Sequence, residues 1–553
     1  MKAHEEKILR ESAESFILRA GEFEQAGSSI DEYAVLIEGL RAHYDNYELF
    51  FMLGLYYRYR NADQAFLCFE NALHYCDEPE DEKVIRDAMA DISDRARVRG
   101  TSIVIVSYND FELIRECIRA IRRYVKEGSY EIIVVDNASS DDELKEYLRS
   151  QAKEHDDFVL VENSENAGFP AGCNIGLSHA KADNDVFFLN NDAVLMPNAL
   201  FWLKMGLYAD KRNGSSGAVT NCAPSQEVSQ ESLEPYIKMA PMNDARPLTD
   251  LSANLIKSRT EASEPEKEHR WWRTISLDSA IEASKSYAKD HNVPMWNPYE
   301  VRTRLTGFAL LLKRDALSDV IIQSGPQNFP GVFDERFTPG YFEDDDLGIR
   351  LCLAGWRQVL CHNAFIYHHG GSGFAGHNDA MEKSRDKFGE KWGFDIWNYT
   401  LPEEDKISAL MSAISADGEA AVAGISNSGA DVNQAADSLD ADSTAERASD
   451  LKLYNRVIRI LDLSAGMGTT LSFIKYLIPG SFTAGITNAD VFAGLSKYMA
   501  DDIISGDPEL VTFPWPLGSF EYILAGDVVA GASDPERLLK KLSAYLSGNG
   551  KII

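Results

Sequence analysis

Residues 186–195 have the sequence VFFLNNDAVL, and this stretch determines what kind of fold the chain can adopt. Its first four residues are apolar, a run of the length found in strands that are buried on both faces. Asn190, Asn191 and Asp192 follow directly, before the chain becomes apolar again. A buried strand with polar residues at its end is typical of parallel sheets, which bind ligands at the carboxyl ends of their strands.

Three more short apolar runs occur upstream, at residues 103–106, 132–135 and 158–161. Each is bounded by polar turn residues, and amphipathic helical stretches separate them. Apolar runs of about four residues at this rhythm predict parallel strands joined by crossover helices. We therefore predict an α/β fold whose functional residues lie between about 101 and 392.

The first two predicted strands end in polar residues that could meet a ligand. Ser107, Tyr108 and Asn109 follow the first strand, and Asp136 begins the sequence DNASSD after the second. A carboxylate and a phenolic ring at neighbouring strand ends could hydrogen-bond to and stack on a nucleobase. Ordinary strand-to-helix turns with Asx caps explain the same residues equally well.

A glycine-rich stretch, NAGFPAGCNIG at residues 166–176, follows the third strand. Glycines allow a close backbone approach, and a helix start presents free amides to a ligand. A tight loop before a capped helix is the alternative interpretation.

Two later clusters combine carboxylates with imidazoles. The sequence GYFEDDDL, residues 340–347, groups four acids between aromatic and apolar residues, and IYHHGGS, residues 366–372, contains two adjacent histidines. Hard oxygen ligands suit Mg²⁺ or Mn²⁺, which can neutralise a leaving diphosphate, and an imidazole could complete such a site.

Taken in order, these motifs resemble the bacterial family 2 glycosyltransferases of GT-A fold, including their rhamnosyltransferase and N-acetylhexosaminyltransferase branches. The resemblance covers roughly residues 101–395. It also includes LTGFALLLKRDAL at residues 305–317 and FDERFTPGYFEDDDLGIRLCLAGW at residues 333–356. It implies a Rossmann-like core that inverts configuration while it transfers a sugar from a nucleotide-diphospho-sugar, of UDP-hexosamine or dTDP-rhamnose type, to an acceptor hydroxyl.

The resemblance also implies roles for individual residues. Asp344, paired with Glu343, would be the catalytic base. Asp192 would be the metal-binding carboxylate of a DxD-type motif whose first acid is replaced by Asn190. His368, or alternatively His369, would be the imidazole that faces Mn²⁺ or Mg²⁺. The nucleotide-sugar, a UDP-sugar in the first place, would be bound by Ser107, Tyr108, Asn109, Asp136, Asn166, Gly168, Asn174, Asn191 and Asp192.

The flanking regions divide the chain into four predicted domains: 1–98, 99–400, 401–450 and 451–553. The first is a small all-α domain, because its apolar residues recur every three or four positions with little glycine or proline. It resembles a tetratricopeptide repeat in a pattern of small and aromatic residues: Phe50, Leu53, Gly54, Tyr57, Ala65, Phe69 and Ala72, followed by Pro79. Binding of a partner and a purely structural role both remain open.

Residues 401–450 are predicted to be a flexible linker, because residues 407–450 lack aromatics and are rich in Ala, Ser, Asp, Asn and Gly. Residues 451–553 resemble the first part of a class I methyltransferase, with ILDLSAGMG at 460–468 and YILAGD at 522–527. Ser464 replaces a usual glycine, the second strand lacks an acidic residue at its end, and the chain stops within a predicted strand. We therefore expect a truncated, partial Rossmann-like domain and no binding of S-adenosylmethionine.

The composition limits the classes of partner. The formal net charge of −32 disfavours contact with nucleic acid or anionic lipid. Seven scattered cysteines without paired spacing, no signal peptide and no transmembrane segment indicate a cytoplasmic protein. We expect a protein acceptor, flagellin-like for example, or a growing glycan. A nucleotidyltransferase would need a glycine- and lysine-rich triphosphate loop near residues 104–112, which VIVSYNDFE lacks. A catalytically weak scaffold also remains possible.

Overall fold

The computed structural model describes residues 11–239, 272, 275–323, 330–370, 378–426 and 457–553. The chain forms two compact units. The larger contains residues 2–299 and 304–394, and the smaller contains residues 300–303 and 395–553. None of the helices within the described ranges combines the length and the hydropathy needed to cross a lipid bilayer.

The larger unit begins with five helices, as the apolar periodicity predicts. They are α1 (Ala13–Ala26), α2 (Ser29–Ala42), α3 (Tyr47–Tyr57), α4 (Ala62–Tyr75) and α5 (Pro79–Ala90). Helices α3 and α4 approach closely at Gly54, where an added Cβ would lie 2.3 Å from the ring of Phe69. The specific likeness to a tetratricopeptide repeat stays a prediction.

Eleven strands follow along the chain, most of them in one sheet. They are β1 (Thr101–Ser107), β2 (Tyr130–Asp136), β3 (Phe158–Glu162), β4 (Asp185–Leu189), β5 (Ala193–Val194), β6 (Asn213–Thr220), β7 (Tyr299–Arg302), β8 (Ala309–Leu312), β9 (Ile322–Gln323), β10 (Pro330–Gly331) and β11 (Arg357–His368). The main path of the large sheet has the order β3-β2-β1-β4-β8-β6-β11-β5, and β9 pairs separately with β10.

The described residues of this unit form nine further helices. They are α6 (Phe111–Tyr124), α7 (Asp142–Glu154), α8 (Phe169–His179), α9 (Ala199–Leu207), α10 (Gln230–Met239), α11 (Leu277–His291), α12 (Arg314–Asp319), α13 (Glu343–Leu353) and α14 (Asn378–Trp392), with a short 3-10 turn at Glu335–Phe337. Helix α6 shows why they cover the sheet, because its buried residues recur at the three- and four-residue spacing of one helical face.

The helical region packs directly on this α/β core. Asn198, which precedes α9, accepts hydrogen bonds at Oδ1 from Asn71 Nδ2 (3.2 Å) and from the Tyr75 hydroxyl (2.9 Å). Gln64 in α4 donates to the carbonyl of Met205 (3.0 Å). The N-terminal helices thus share one compact unit with the sheet.

The four predicted strands are confirmed as β1 to β4, and they pair in parallel. Beyond β4 the sheet becomes mixed, since β8 lies antiparallel between β4 and β6. The chain first runs outward from β1 to β3 and then returns to place β4 on the other side of β1. This reversal opens a crevice at the carboxyl ends of β1 and β4.

The smaller unit contains a second sheet, which is entirely parallel. Its strands are β12 (Arg459–Asp462), β13 (Phe482–Thr487), β14 (Asp502–Ser505), β15 (Phe520–Leu524) and β16 (Leu546–Ile552), in the order β14-β13-β12-β15-β16. Its helices are α15 (Glu404–Ser426), α16 (Thr469–Leu477), α17 (Asp490–Ser496) and α18 (Pro535–Tyr545), with 3-10 turns at Ile396–Asn398 and Gly526–Val528. A second α/β region is therefore confirmed, whereas its methyltransferase character stays a prediction.

The structure differs from the predicted linker over its first part. Residues 404–426 form α15, whose Ile407, Leu410 and Ile414 are buried in one apolar cluster with β12 and β15. The composition rule averaged over 44 residues and missed three apolar residues at helical spacing. Residues 427–450 lie outside the described ranges.

Candidate active site

The crevice between β1 and β4 brings together the polar residues that follow these two strands. Ser107 is fully buried, and its hydroxyl has no hydrogen-bond partner in the described part of the chain. Tyr108, the next residue, has 42% of its surface exposed. An exposed aromatic ring at the mouth of a crevice is suitable for stacking on a flat ligand.

The loop after β1 is hydrogen-bonded to the loop after β2. Asn109 lies in the left-handed region (φ 57°) and donates its backbone N–H to the Ser139 hydroxyl (2.8 Å). Its side-chain Oδ1 accepts from the backbone N–H of Ser140 (2.9 Å). The carboxylate of Asp136 is buried and accepts from the backbone N–H of Ser139 (3.1 Å). These bonds make Asn109 and Asp136 organisers of the two loops.

The glycine-rich stretch is fixed by an asparagine that the sequence analysis did not single out. Asn137 donates to Asn166 Oδ1 (2.9 Å) and accepts from the backbone N–H of Ala167 (3.0 Å). Gly168 has φ +81°, and an added Cβ would lie 2.8 Å from the side chain of Thr338. The loop can pass this closely only because residue 168 has no side chain.

Asn174 lies away from the predicted nucleotide pocket. It is buried, and its Oδ1 accepts from the backbone N–H groups of Val332 (3.0 Å) and Phe333 (3.1 Å). Its Nδ2 donates to the carbonyl of Phe333 (2.9 Å) and to Glu335 Oε1 (3.1 Å). All of its polar capacity thus holds the segment 331–335, and none is directed at the crevice.

Asp192 and His368 form the closest pair of predicted metal ligands. Asp192 is 3% exposed, and its Oδ1 lies 3.3 Å from His368 Nε2. Its Oδ2 accepts from the backbone N–H of Gly370 (3.1 Å). The pair forms because β5 and the end of β11 run antiparallel, with Ala193 opposite His368.

The other nitrogen of the His368 ring meets a backbone carbonyl. His368 Nδ1 lies 2.5 Å from the carbonyl oxygen of Cys222, and this contact places the ring proton on Nδ1. Asn221 clamps the backbone of His368 through two hydrogen bonds of 2.9 Å. His368 Nε2 then faces the Asp192 carboxylate, 3.3 Å from Oδ1.

His369, the alternative ligand, faces the opposite side of the strand. Its ring Nδ1 lies 3.0 Å from the hydroxyl of Tyr367. Only its backbone reaches Asp192, donating its N–H to the carbonyl oxygen (2.9 Å). Successive strand residues point to opposite faces, so His368 and His369 cannot both face Asp192.

Asn190 stands where a DxD-type motif carries its first acid. Its backbone N–H donates to the carbonyl of Phe308 (2.8 Å), and its Nδ2 lies 3.5 Å from His368 Nε2. Its buried Oδ1 has no hydrogen-bond partner within the described residues. An oxygen acceptor is therefore available beside Asp192 and His368. Asn191 is half-buried in the same turn.

Asp344 is the member of the acidic cluster that remains partly exposed. Its Oδ2 accepts from the backbone N–H of Gly307 (2.8 Å), and its Oδ1 accepts from that of Asp345 (2.8 Å). An added Cβ on Gly307 would lie 3.4 Å from Asp344 Cβ, so the glycine leaves the carboxylate accessible. Two backbone donors thus fix the orientation of Asp344, which forms no ion pair with any residue that the structure describes.

The other three acids of the cluster are buried and held differently. Glu343 is 6% exposed, and burial together with the adjacent Asp344 raises its pKa well above the usual range. Burial raises the pKa of Asp345 to about 7, although its ion pair with Arg304 opposes the shift. Asp346 accepts from Arg350 Nε (2.9 Å) and Trp392 Nε1 (2.9 Å). These contacts make Asp345 and Asp346 anchors of α13.

The segment 307–308 connects the acidic cluster to the Asp192 pair. Gly307 binds Asp344, while the next residue, Phe308, accepts from Asn190 through its carbonyl. The Phe308 ring stacks on the His368 imidazole with the ring centroids 4.9 Å apart. Asp344 and the Asp192 pair are therefore linked through two adjacent residues, Gly307 and Phe308.

Sequence reasoning missed several residues that shape this edge, including Arg304, Gly307, Phe308 and Asn221. Residues 305–317 were part of the resemblance, but nothing in the motif marked Gly307 as a hydrogen-bond donor to Asp344. Arg304 lies just before the motif, and a lone arginine carries no signal of its buried partner.

Trp271 and Trp272 are adjacent aromatic residues, of which the structure describes Trp272. Trp272 is 5% exposed, and its Nε1 donates to the carbonyl of His369 (2.9 Å). The structure therefore favours packing for Trp272. Trp271 and residues 240–270 lie outside the described ranges.

The middle of the chain is similar to a known protein family. Residues 102–241 match the family described as Glycosyl transferase family 2. The match begins at β1 and includes β4 and Asp192, while Asp344 and His368 lie beyond it.

A curated relative supports the same assignment over a shorter range. The poly(ribitol-phosphate) beta-glucosyltransferase of Bacillus spizizenii is 33% identical over 103 residues, which are 18% of this chain and 16% of the relative. The chain thus matches less than a fifth of the relative's length.

Solved structures with similar folds are distant. GalNAc-T7, solved with UDP, GalNAc and Mn²⁺, is 11% identical with a TM-score of 0.36, covering 53% of this chain and 48% of its own. The mannosyltransferase PcManGT of Pyrobaculum calidifontis, with GDP-Man and Mn²⁺, is 16% identical with a TM-score of 0.33, covering 75% and 97%. TarS 1-349 of S. aureus is 12% identical with a TM-score of 0.30, covering 54% and 73%. These scores are too low to support conclusions about this chain. The family match and the relative together support a family 2 glycosyltransferase domain in the larger unit.

Proposed function

We propose that the larger unit is an inverting glycosyltransferase that moves a sugar from a nucleotide-diphospho-sugar to an acceptor hydroxyl. The observation that carries this proposal is the link from Asp344 through Gly307 and Phe308 to the Asp192–His368 pair. This link connects Asp344, a carboxylate that can accept a proton, with Asp192 and His368, which can bind a cation that carries the diphosphate.

Asp344 is the general base in this proposal. Its two backbone donors orient the carboxylate, and its partial exposure leaves room for a hydroxyl group. The acceptor oxygen attacks the anomeric carbon as its proton passes to Asp344, and the bond between that carbon and the diphosphate breaks with inversion. Burial and the adjacent Asp344 raise the pKa of Glu343, which disfavours a second negative charge beside the base.

Asp192 and His368 are the residues that would hold Mn²⁺ or Mg²⁺. Two ligands about 2.1 Å from one cation lie about 3 Å apart when they are adjacent in an octahedron, close to the 3.3 Å between Asp192 Oδ1 and His368 Nε2. Asn190 Oδ1, which has no hydrogen-bond partner among the described residues, is a possible third ligand atom in the turn that also contains Asp192. When bound, the cation would stabilise the negative charge of the leaving diphosphate.

The donor set is small, which suits a cation shared with the substrate. Within the described ranges, no three His, Cys, Asp or Glu side chains form a group that could hold a metal ion. Magnesium-like ions are commonly bound by one or two carboxylates, with substrate phosphates and waters as the remaining ligands. We therefore expect the metal to bind tightly only together with the nucleotide.

The nucleotide would lie against Tyr108, between the hydrogen-bonded loops after β1 and β2. Tyr108 is exposed for stacking, while Ser107, Asn109, Asp136, Asn166 and Gly168 shape the loops around it. A UDP-sugar is the first donor to test, followed by dTDP-rhamnose.

The acceptor would be a hydroxyl group of a protein or of a polymer. The curated relative acts, by its name, on poly(ribitol-phosphate), which favours including a polyol-phosphate polymer beside protein acceptors. A glycan-elongating transferase is thus a second form of the same proposal.

The test is a transfer assay with UDP- and dTDP-sugars, with and without Mn²⁺, against protein and polymer acceptors. We expect metal-stimulated release of nucleoside diphosphate with at least one donor, and a product of opposite anomeric configuration by NMR. A folded protein that neither binds nor turns over any of these donors would contradict the proposal and favour a scaffold.

A further inference from the structure

The smaller sheet has its own crevice, at the carboxyl ends of β12 and β15. The chain runs outward from β12 to β14 and then returns to place β15 on the other side of β12. The turn after β12, residues 463–468, contains Gly466 (φ +51°) and Gly468 (φ +83°). A glycine-bearing turn at such a reversal is where parallel sheets of this kind bind ligands.

This crevice is filled by a lysine of the same chain. Lys406 Nζ lies 2.9 Å from Asp462 Oδ1, 2.7 Å from the Ser464 hydroxyl and 2.7 Å from Glu403 Oε1. Asp462 is fully buried and Lys406 is 8% exposed. Three acceptors around one ammonium group match its three N–H donors.

The lysine lies between the turns that follow the two central strands. An added Cβ on Gly526, just after β15, would lie 3.3 Å from Lys406 Cε. The second oxygen of Asp462 is buried and has no hydrogen-bond partner in the described part of the chain. The carboxylate thus retains acceptor capacity that Lys406 does not use.

A tyrosine upstream of the lysine covers the glycine turn. An added Cβ on Gly466 would lie 3.1 Å from the Tyr399 ring. The carbonyl of Tyr399 accepts from the Thr469 hydroxyl (2.6 Å), and its ring packs on Phe492 with the centroids 4.6 Å apart. Glu403 donates its backbone N–H to the Thr470 hydroxyl (3.1 Å). Residues 399–406, the covering segment, therefore lie over the turn and the start of α16.

We propose that the crevice of the smaller sheet is a ligand site that the chain occupies itself. The ammonium of Lys406 takes the position of the cationic amine of a small ligand, and the Tyr399 ring takes the position of its flat ring. An amine-bearing nucleoside fits this description, and the native covering segment excludes it. This inference is independent of the sugar-transfer site.

The ion pair between Lys406 and Asp462 differs from a surface ion pair in its desolvation free energy. Burying an ammonium and a carboxylate costs more desolvation free energy than an apolar pair in the same space. Removal of one partner alone leaves the other charged and unpaired, so the fold depends on the presence of an ammonium at this point. That dependence gives the test.

The experiment compares Lys406→Ala with Lys551→Ala in the full chain. Lys551 also forms an ion pair with a residue of α15, Asp417, but on a more exposed part of the same unit. Hydrogen exchange measured by mass spectrometry on peptides from 457–480 reports on the crevice. We expect exchange there to rise at least tenfold in Lys406→Ala and to stay near the native rate in Lys551→Ala.

Rescue by an added amine separates an ammonium site from a general packing defect. Millimolar propylammonium should restore slow exchange in Lys406→Ala, and propan-1-ol should not. Equal exchange in the two alanine variants would overturn the proposal, as would equal rescue by the alcohol. If Lys406→Ala does not fold, Lys406→Gln keeps the side-chain length, and native-like exchange in that variant would also overturn it.

Ligand binding provides the second arm. The native chain should show no binding of S-adenosylmethionine by calorimetry, whereas a folded Lys406→Ala, Tyr399→Ala double variant should bind it. Micromolar binding by the native chain would show an open site and overturn the proposal. A folded double variant without any binding would equally overturn it.

Discussion

Each of the two sheets of this protein carries a buried aspartate near the point where its strand order reverses. The two aspartates have different partners. Asp192 lies against the imidazole of His368 and accepts from the backbone N–H of Gly370, and Asn190 Oδ1 in the same turn has no partner among the described residues. Asp462 meets an ammonium group from its own chain. We propose that the first aspartate binds an external cation, whereas the second already has an ammonium group beside it.

The partners come from distant parts of the sequence. Gly370 lies 178 residues from Asp192, and Lys406 lies 56 residues from Asp462. The strand and turn that present each aspartate look alike, so the difference between an open and a filled crevice depends on what the rest of the chain brings to it. Changes at the two carboxylates should therefore have different consequences.

The largest effect is expected at the base of the open crevice. Asp344→Asn should lower kcat about 1,000-fold, because an amide cannot accept the acceptor's proton in the transition state. Donor affinity should change little, since the amide oxygen can still accept from one of the two backbone N–H groups that orient residue 344. Steady-state kinetics and equilibrium donor binding check both points. Asp156→Asn, at an exposed position before β3, is the matched control. Near-native turnover by Asp344→Asn would exclude Asp344 as the base.

A smaller loss is expected when the metal-binding carboxylate is changed. Asp192→Asn should lower kcat/KM about 100-fold, because the leaving diphosphate loses part of its charge stabilisation. Electron paramagnetic resonance of Mn²⁺ with UDP should show weaker metal binding, independent of activity. Asp183→Asn, at the opposite end of β4, should leave both values unchanged. Unaltered Mn²⁺ binding in Asp192→Asn would separate this residue from the cation.

The equivalent change in the filled crevice should affect stability and spare transfer. Asp462→Asn removes the charge opposite a buried lysine, which should lower the free energy of unfolding of the smaller unit by about 3 kcal/mol. Denaturant unfolding followed by hydrogen exchange measures this loss. Sugar transfer by the folded variant should stay within about twofold of native. A selective loss of transfer without destabilisation would break the contrast between the two crevices.

The smallest effect concerns pH. Burial raises the pKa of Asp345 from 3.8 to about 7, so the folded state binds its proton more strongly than the unfolded chain does. Its contribution to stability is therefore full below about pH 4 and is lost as the pH rises through 7. Relative to Asp345→Asn, native stability should fall between pH 5 and 8, by at most about 1.4 kcal/mol per pH unit. If the free energies of unfolding of the native protein and of Asp345→Asn changed equally with pH between 5 and 8, the raised pKa of Asp345 would be contradicted.

The strands of the open crevice were predictable because their signal is local. Four apolar runs, each followed by polar residues, were sufficient to place β1 to β4 and the turn after β4 that contains Asp192. That Asp344 and His368 serve one site stays a prediction. Antiparallel β8 was not predicted, because a strand sequence does not show which neighbours it pairs with.

Three other features escaped the sequence for physical reasons. The side chain of Asn174 binds the segment 331–335. An asparagine near a helix start can bind either a ligand or a neighbouring loop, and the sequence does not distinguish the two. Whether His368 or His369 faces Asp192 depends on which side chains of β11 point to each face of the sheet. That alternation cannot be assigned from the sequence, because the sequence does not fix the residue at which the strand begins. Helix α15 was hidden by averaging a short apolar stripe with the polar residues that follow it.

The two-residue pairing of β5 with the end of β11 has a consequence for changes in chain length. Val194 lies opposite Tyr367 and Ala193 opposite His368, so a shift of one position would present Tyr367 or His369 to Asp192 instead. The irregularity of β11 between Cys361 and Phe365 lies upstream of that pairing. The bulge can accommodate an insertion or deletion between Cys361 and Phe365. An insertion or deletion between Phe365 and Gly370 would change which side chain faces the carboxylate of Asp192. Natural variation in length is therefore expected on one side of Phe365 and not on the other.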